Sequence, residues 1–216
     1  MKKMIYIIVL LISQIATSQQ FNTVDLHNYP GISYGDNGYY FKDTQGYFNQ
    51  FLGTWQYSFG DTTIQLKFVK KTFVKNTSND TYKTDALIGG IKIVKNGIEL
   101  VNTLSSINNN LDSETKYYIY DGYRYKNTPD CMGCTVPNQR LKMYYKEPNN
   151  DNQRLMNMYF VMHIYKNGQQ IPTLRLVFPR DAVLGDPTQY DEEVDDAPTK
   201  TQVYLPFGTF DFQKVN

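Results

Sequence analysis

Gly53-Thr54-Trp55-Gln56-Tyr57-Ser58-Phe59-Gly60-Asp61-Thr62-Thr63-Ile64-Gln65-Leu66-Lys67-Phe68 is the stretch that decides the fold. Trp55, Tyr57 and Phe59 alternate with smaller or polar residues, as do Ile64, Leu66 and Phe68, so each run presents one apolar face at the two-residue period of a strand. Gly60-Asp61 lies between the two runs and supplies a two-residue turn, which makes them a hairpin. Trp55 is the chain's only tryptophan, and it stands at the entrance to a long series of such runs. A lone Trp opening an all-β series behind a leader segment predicts a small closed barrel.

Downstream, a second hairpin is expected from Ala86 through Ile91 and Ile93, turning at Asn96-Gly97 and returning through Ile98, Leu100 and Leu104. Asn-Gly is the strongest short hairpin signal, because a type I′ turn needs two residues with positive φ. A third runs from Leu155 to Tyr165, turns at Asn167-Gly168 and returns through Leu174, Leu176 and Phe178. Single strands are expected at 115–120, 141–145, 202–205 and 209–215. Roughly nine or ten strands with mostly short turns fit an up-and-down barrel or a sandwich, and consecutive hairpins favour the barrel. The exception is 179–200, where prolines bracket Asp191, Glu192, Glu193, Asp195 and Asp196. A connection of about twenty residues in a compact domain is either a functional cover or disordered.

Upstream, residues 21–40 are rich in Tyr, Gly and Asn and read as an extended arm. Asp43 or Thr44 could cap a short helical turn over 45–50, a plug ahead of the first strand. The N-terminus carries Lys2 and Lys3, an apolar run from Met4 to Ile12 and small residues at Ala16 and Ser18, the pattern of a cleavable signal peptide. The apolar run is shorter than the roughly 20 residues that span a bilayer, and no cysteine follows the expected cleavage point. The expected organisation is a leader at 1–18, the arm and plug at 19–50 and a barrel domain at 51–216, placed in the periplasm or outside the cell.

Loss of Lys2 and Lys3 moves the formal charge from +1 to about −1, so neither nucleic acid nor an anionic membrane surface is implied as a partner. Nineteen tyrosines and twelve phenylalanines favour strands, since aromatic side chains suit a pleated, half-buried surface. The class expected is all-β.

Cys131-Met132-Gly133-Cys134 is the sharpest local motif. An exported chain favours a disulfide clamping this loop. Zinc would need four ligands, and beyond this pair only His27 and His163 are available. A redox pair would need a helix start in a βαβ setting, which the surroundings lack. The acidic run at 191–196 lacks the glycine and ligand order of a calcium loop and reads as a solvated loop. Met156, Met158, Phe160 and Met162 share one strand face with Ile164, opposite His163. That face is either barrel core or an adaptable apolar ligand lining, since methionines re-pack easily. No nucleophile elbow, phosphate loop, metalloprotease helix or nucleotide fingerprint occurs, and no cofactor is implied.

Tyr39-Tyr40-Phe41-Lys42-Asp43, Phe51-Leu52-Gly53-Thr54-Trp55-Gln56-Tyr57, Thr63-Ile64-Gln65-Leu66, Asp85-Ala86-Leu87-Ile88-Gly89-Gly90, Asn96 to Leu104 and the ending Leu205-Pro206-Phe207 to Val215 together resemble a family of secreted proteins of unknown function from flavobacteria and their relatives. Gly53-Thr54-Trp55 also resembles the Gly-x-Trp signature of lipocalins. That likeness implies a lipocalin-like, calycin-type antiparallel up-and-down barrel of about 8–10 strands, with Gly53 and Trp55 structural at its base. It also implies a late cation packed on the Trp, for which Arg175 is the candidate. The chain departs from lipocalins in lacking a helical pattern after the last strand and a second signature in mid-chain.

The expected function is a non-catalytic binding module for a small apolar or amphipathic molecule. The alternatives are a filled barrel serving as a structural or interaction protein of the cell envelope, with its Tyr-rich arm and acidic loop as working surfaces, and an all-β hydrolase.

Overall fold

Ahead of residue 53 the chain forms two short strands, β1 (Asn22–Asp25) and β2 (Tyr39–Lys42), and a 3-10 turn over Tyr47–Phe51. The computed structural model describes residues 20–76, 81–125, 127–128, 131–132, 140–148, 158–166, 171–179 and 204–215. The deciding stretch is the hairpin of β3 (Gly53–Phe59) and β4 (Thr62–Asn76), and β4 pairs along its whole length with β5 (Thr81–Lys95). After β6 (Ile98–Asn102) come β7 (Ile119–Tyr125), the small pair β8 (Asn127–Thr128) and β9 (Cys131–Met132), then β10 (Arg140–Tyr145), β11 (Met158–Lys166), β12 (Pro172–Phe178) and β13 (Gly208–Val215).

Eight of these close into an antiparallel barrel in the order β3, β4, β5, β7, β10, β11, β12, β13, and β13 returns to pair with β3. Consecutive strands are neighbours throughout, the up-and-down arrangement that short hairpin turns produce. No α-helix occurs among the described residues. The free edge of β5 is divided among three partners. Parallel β2 takes Lys83 and Thr84, β7 meets it at Gly89, and β6 takes Lys92 to Lys95. The arm is thereby tied to the wall, with β1 pairing parallel to β2.

The second expected hairpin forms at Asn96-Gly97, but β6 is not a barrel stave. Its register slips between Ile93 and Val94, and Thr103 then hooks the chain to Ile91. The Ile91 N–H donates to Thr103 Oγ1 at 2.9 Å, and the Thr103 N–H donates to the Ile91 carbonyl at 2.7 Å. A Cβ on Gly90 would lie 2.6 Å from the Thr103 carbonyl oxygen, so only glycine admits this crossing. The excursion that follows folds over the outside of β4 and β5. There Ile107 and Tyr117 bury Phe73, Ala86 and Ile88 in a second small core. The strand expected at 115–120 therefore begins only at Ile119, after a 3-10 turn at Glu114–Lys116. Tyr204 and Leu205 lie outside any strand, where one was expected over 202–205.

Inside the barrel the inward positions alternate as the sequence predicts, and Trp55, Leu66, Phe68, Phe160, Leu176 and Phe212 are all buried in one core. Burial on this scale is the main favourable term in the fold, at about 1.5–3 kcal/mol for each large apolar side chain fully removed from water.

Candidate ligand site in the barrel

One end of the barrel is sealed. Strand β3 starts there, directly after the 3-10 turn, and the Trp55 indole N–H donates to the Phe51 carbonyl at 2.8 Å, fastening the turn to the first stave. Lys214, opposite Trp55 in the β13–β3 register, sets its ammonium 5.4 Å from the centre of the Trp ring system. Gly53 adopts φ +105°, a conformation that favours glycine, and a Cβ there would meet Lys214 Cε at 3.2 Å.

Two buried carboxylates anchor the plug. Asp43 accepts from the N–H groups of Tyr47 (2.7 Å) and Phe48 (3.0 Å), with Lys70 Nζ and His27 Nε2 each 3.6 Å away. Burial alone would raise its pKa. The hydrogen bonds from His27, Phe48 and Tyr47, with the Lys70 charge, hold it instead below the usual carboxylate range. Asp85 accepts from the hydroxyls of Tyr40 and Thr72, both at 2.7 Å, and from the Asp43 N–H at 3.1 Å. Lys70, Thr72 and Asp85 face inward on β4 and β5, so the wall offers polar groups where the arm and plug enter.

Strand directions alternate around the barrel, so β10 ends at the opposite end. Leu141, Met143 and Tyr145 face inward, and the ladder continues one residue past β10, with the Lys146 N–H donating to the Tyr118 carbonyl at 2.7 Å. Glu147 therefore also faces inward. Both Glu147 oxygens and the Tyr145 hydroxyl are buried and make no well-formed hydrogen bond. Burial raises the Glu147 pKa to about 7, only partly countered by the nearby Tyr204 amide and Tyr145 hydroxyl. Tyr145 pairs with Met158 in the register, its ring packs edge-on against Phe178 at 5.8 Å, and the Phe207 ring lies tilted against Phe178 at 4.8 Å. Leu205 is fully buried in the barrel core. Phe59, Thr62, Lys95 and Ile98 form one cross-strand row on the rim at this end, with Phe59 75% and Ile98 65% exposed.

Among the residues singled out from sequence, Met158, Phe160 and Met162 come together on the inner face, all fully buried. Only Met158 reaches the level of Tyr145; Phe160 and Met162 lie deeper in the packed core. Met156 lies outside the described residues, as do Cys134, the side chain of Cys131 and the acidic run at 191–196. Gly53 and Trp55 sit together at the sealed base. Arg175 does not pack on Trp55. It falls on the outer face of β12, between inward Leu174 and Leu176, where it grips Asp211 through two 2.7 Å hydrogen bonds and lies 4.8 Å from the Tyr165 ring centre. The cation on Trp55 is Lys214. His163 is also on the outer face, with its ring 5.9 Å from that of Tyr165. Sequence reasoning missed Glu147, although the period of Leu141, Met143 and Tyr145 carried on by two residues points to it.

Among the described residues no three His, Cys, Asp or Glu side chains are placed to hold a metal ion, and nothing indicates catalysis. A depression of about 260 Å³ lined by Thr63, Gln65, Lys92 and Val94 lies on the outside of the wall.

An eight-stranded antiparallel up-and-down barrel with a sealed base is a lipocalin-like fold. The chain belongs to a family of unknown function (DUF6705), whose profile matches residues 1–181. Comparison with curated proteins and with solved structures finds no match.

Proposed function

We propose that the protein is an exported, non-catalytic binding module that holds a small apolar or amphipathic molecule at the end of its barrel opposite the plug. The observation that carries this reading is the buried pair of Tyr145 and Glu147 on the inner wall, beside Met158 and Phe178, whose side-chain oxygens make no well-formed hydrogen bond. A buried polar group without a partner costs about 1–3 kcal/mol, and a ligand reaching this level would supply the missing partner. Apolar lining with a few convergent polar groups is the usual composition of a small-molecule site. Export rests on the charged, apolar and small-residue segments of the first 18 residues.

The test is native mass spectrometry of the mature protein purified from its own host, followed by denaturation and extraction. A stoichiometric small molecule supports the reading. An empty, stable protein favours the second one, a filled barrel that works through its surface. The full burial of Trp55, Phe68 and Phe160 and the exposed rim residues Phe59 and Ile98 speak for that alternative.

A further inference from the structure

Resting on that binding reading, we infer that the ligand carries a protonated amine, which docks between the Glu147 carboxylate and the Tyr145 hydroxyl with its apolar part against Met158 and Phe178. Glu147 is 4% exposed and Tyr145 is fully buried, and none of their three side-chain oxygens makes a well-formed hydrogen bond, the Tyr145 hydroxyl and the Tyr204 amide being near Glu147 without satisfying it. The chemistry of those atoms selects among ligands. A carboxylate only accepts hydrogen bonds, so the missing partner must donate. A primary ammonium has three N–H donors and no acceptor, enough for both Glu147 oxygens and for Tyr145 Oη. It also supplies the charge that a buried carboxylate otherwise lacks, and breaking or omitting one half of a buried ion pair is strongly unfavourable. The surrounding rings suit a cation, because Tyr145, Phe178 and Phe207 form a contiguous aromatic group and ring faces attract ammonium ions. A carboxylate ligand would meet like charge, and an alcohol would supply one donor without neutralising Glu147.

Calorimetry of the full mature chain with three probes of one tail length, n-octylamine, n-octanol and octanoate, tests this at pH 7.5. Octylamine is expected to bind at least tenfold more tightly than octanol, and octanoate no better than octanol. Glu147→Gln keeps the shape of the side chain and removes its charge. It should abolish the amine preference, so that octylamine and octanol bind the variant with affinities within about twofold of each other, with a thermal midpoint at or above that of the parent showing that it is folded. Tyr145→Phe should weaken octylamine severalfold and serves as the second variant. If octylamine and octanol bind the parent equally, or if Glu147→Gln retains the preference, the amine assignment is wrong while the binding reading survives. If none of the three binds, both readings fall.

Discussion

The two ends of the barrel treat their buried polar groups in opposite ways. At the plugged end the Trp55 N–H, Asp43 and Asp85 are all hydrogen-bonded, several of them to backbone groups of the arm and plug. At the other end Tyr145 Oη and both Glu147 oxygens make no well-formed hydrogen bond. Satisfied polar networks rigidify a structure, whereas an unpartnered group retains its full desolvation penalty. The difference places the satisfied, stabilising polar contacts at the base and a destabilising buried acid at the other end, and each end can be attacked separately.

The largest effect is expected at the base. Trp55→Ala removes a fully buried indole from the core together with its bond to Phe51 and should cost about 3–5 kcal/mol in urea denaturation. A loss under about 1 kcal/mol would mean that the base is not where the barrel is secured. Asp43→Ala leaves the Tyr47 and Phe48 N–H groups and Lys70 without their acceptor and should cost about 3 kcal/mol. Hydrogen exchange should show the Tyr47 and Phe48 amides losing protection first.

The other end should respond with the opposite sign. Burial raises the Glu147 pKa from 4.5 to about 7, so the folded state keeps its proton over a range in which the unfolded chain has lost it. Stability then falls as the pH rises from about 4.5 to 7 and levels off above. Asp121 adds to this fall, its pKa raised from 3.8 to about 6 by burial and then by the charge of Glu114, against Lys75. Asp43, Asp25 and Asp211 are held below the usual carboxylate range, and their contribution is lost as the pH drops through their folded pKa values. Maximum stability is therefore expected near pH 4–5. Glu147→Gln should raise stability at pH 8 by up to about 3 kcal/mol and flatten the decline between pH 5 and 7, leaving the part due to Asp121. Thermal midpoints across that range, showing parent and variant with the same slope, would contradict the burial of Glu147 as described.

The same contrast explains what could be read from the sequence. The hairpin at Gly60-Asp61 and the strands over 141–145 and 209–215 were legible because their inward positions are mostly apolar and their outward ones mostly polar, whereas the hairpin at Asn96-Gly97 was legible from its turn residues alone, since Ile98 and Leu100 of its returning strand are exposed. Past Phe68 that pattern inverts on β4. Lys70 and Thr72 face inward to meet Asp43 and Asp85, while Val69 and Phe73 face outward beneath the excursion after β6. A two-residue period judged by hydrophobicity alone therefore ends the strand at Phe68, eight residues before its end at Asn76. The displacement of β6 from the wall was illegible for another reason, since it depends on the contact of Gly90 with Thr103, residues thirteen apart. Glu147 was hidden by its type, because an acid at the end of an alternating run reads as the exit to solvent.

The smallest expected effect separates the two cations at the base and on the outer wall. Lipocalin likeness suggested Arg175 as the partner of Trp55, and position along the chain was its only support. Strand parity decides otherwise: residues 174 and 176 point inward, so 175 must point outward, whereas Lys214 shares the inward face with Phe210 and Phe212. The Arg175–Asp211 pair is well formed, but its side chains are 40% and 38% exposed, and water screens such a pair. Arg175→Ala should therefore cost no more than about 1 kcal/mol, much of it from stacking lost on Tyr165. Trp55 fluorescence should be unchanged in Arg175→Ala and shifted in Lys214→Ala, because only the second variant removes a charge lying over the indole. The reverse result would return Arg175 to the barrel base and make the register of β12 the element to re-examine.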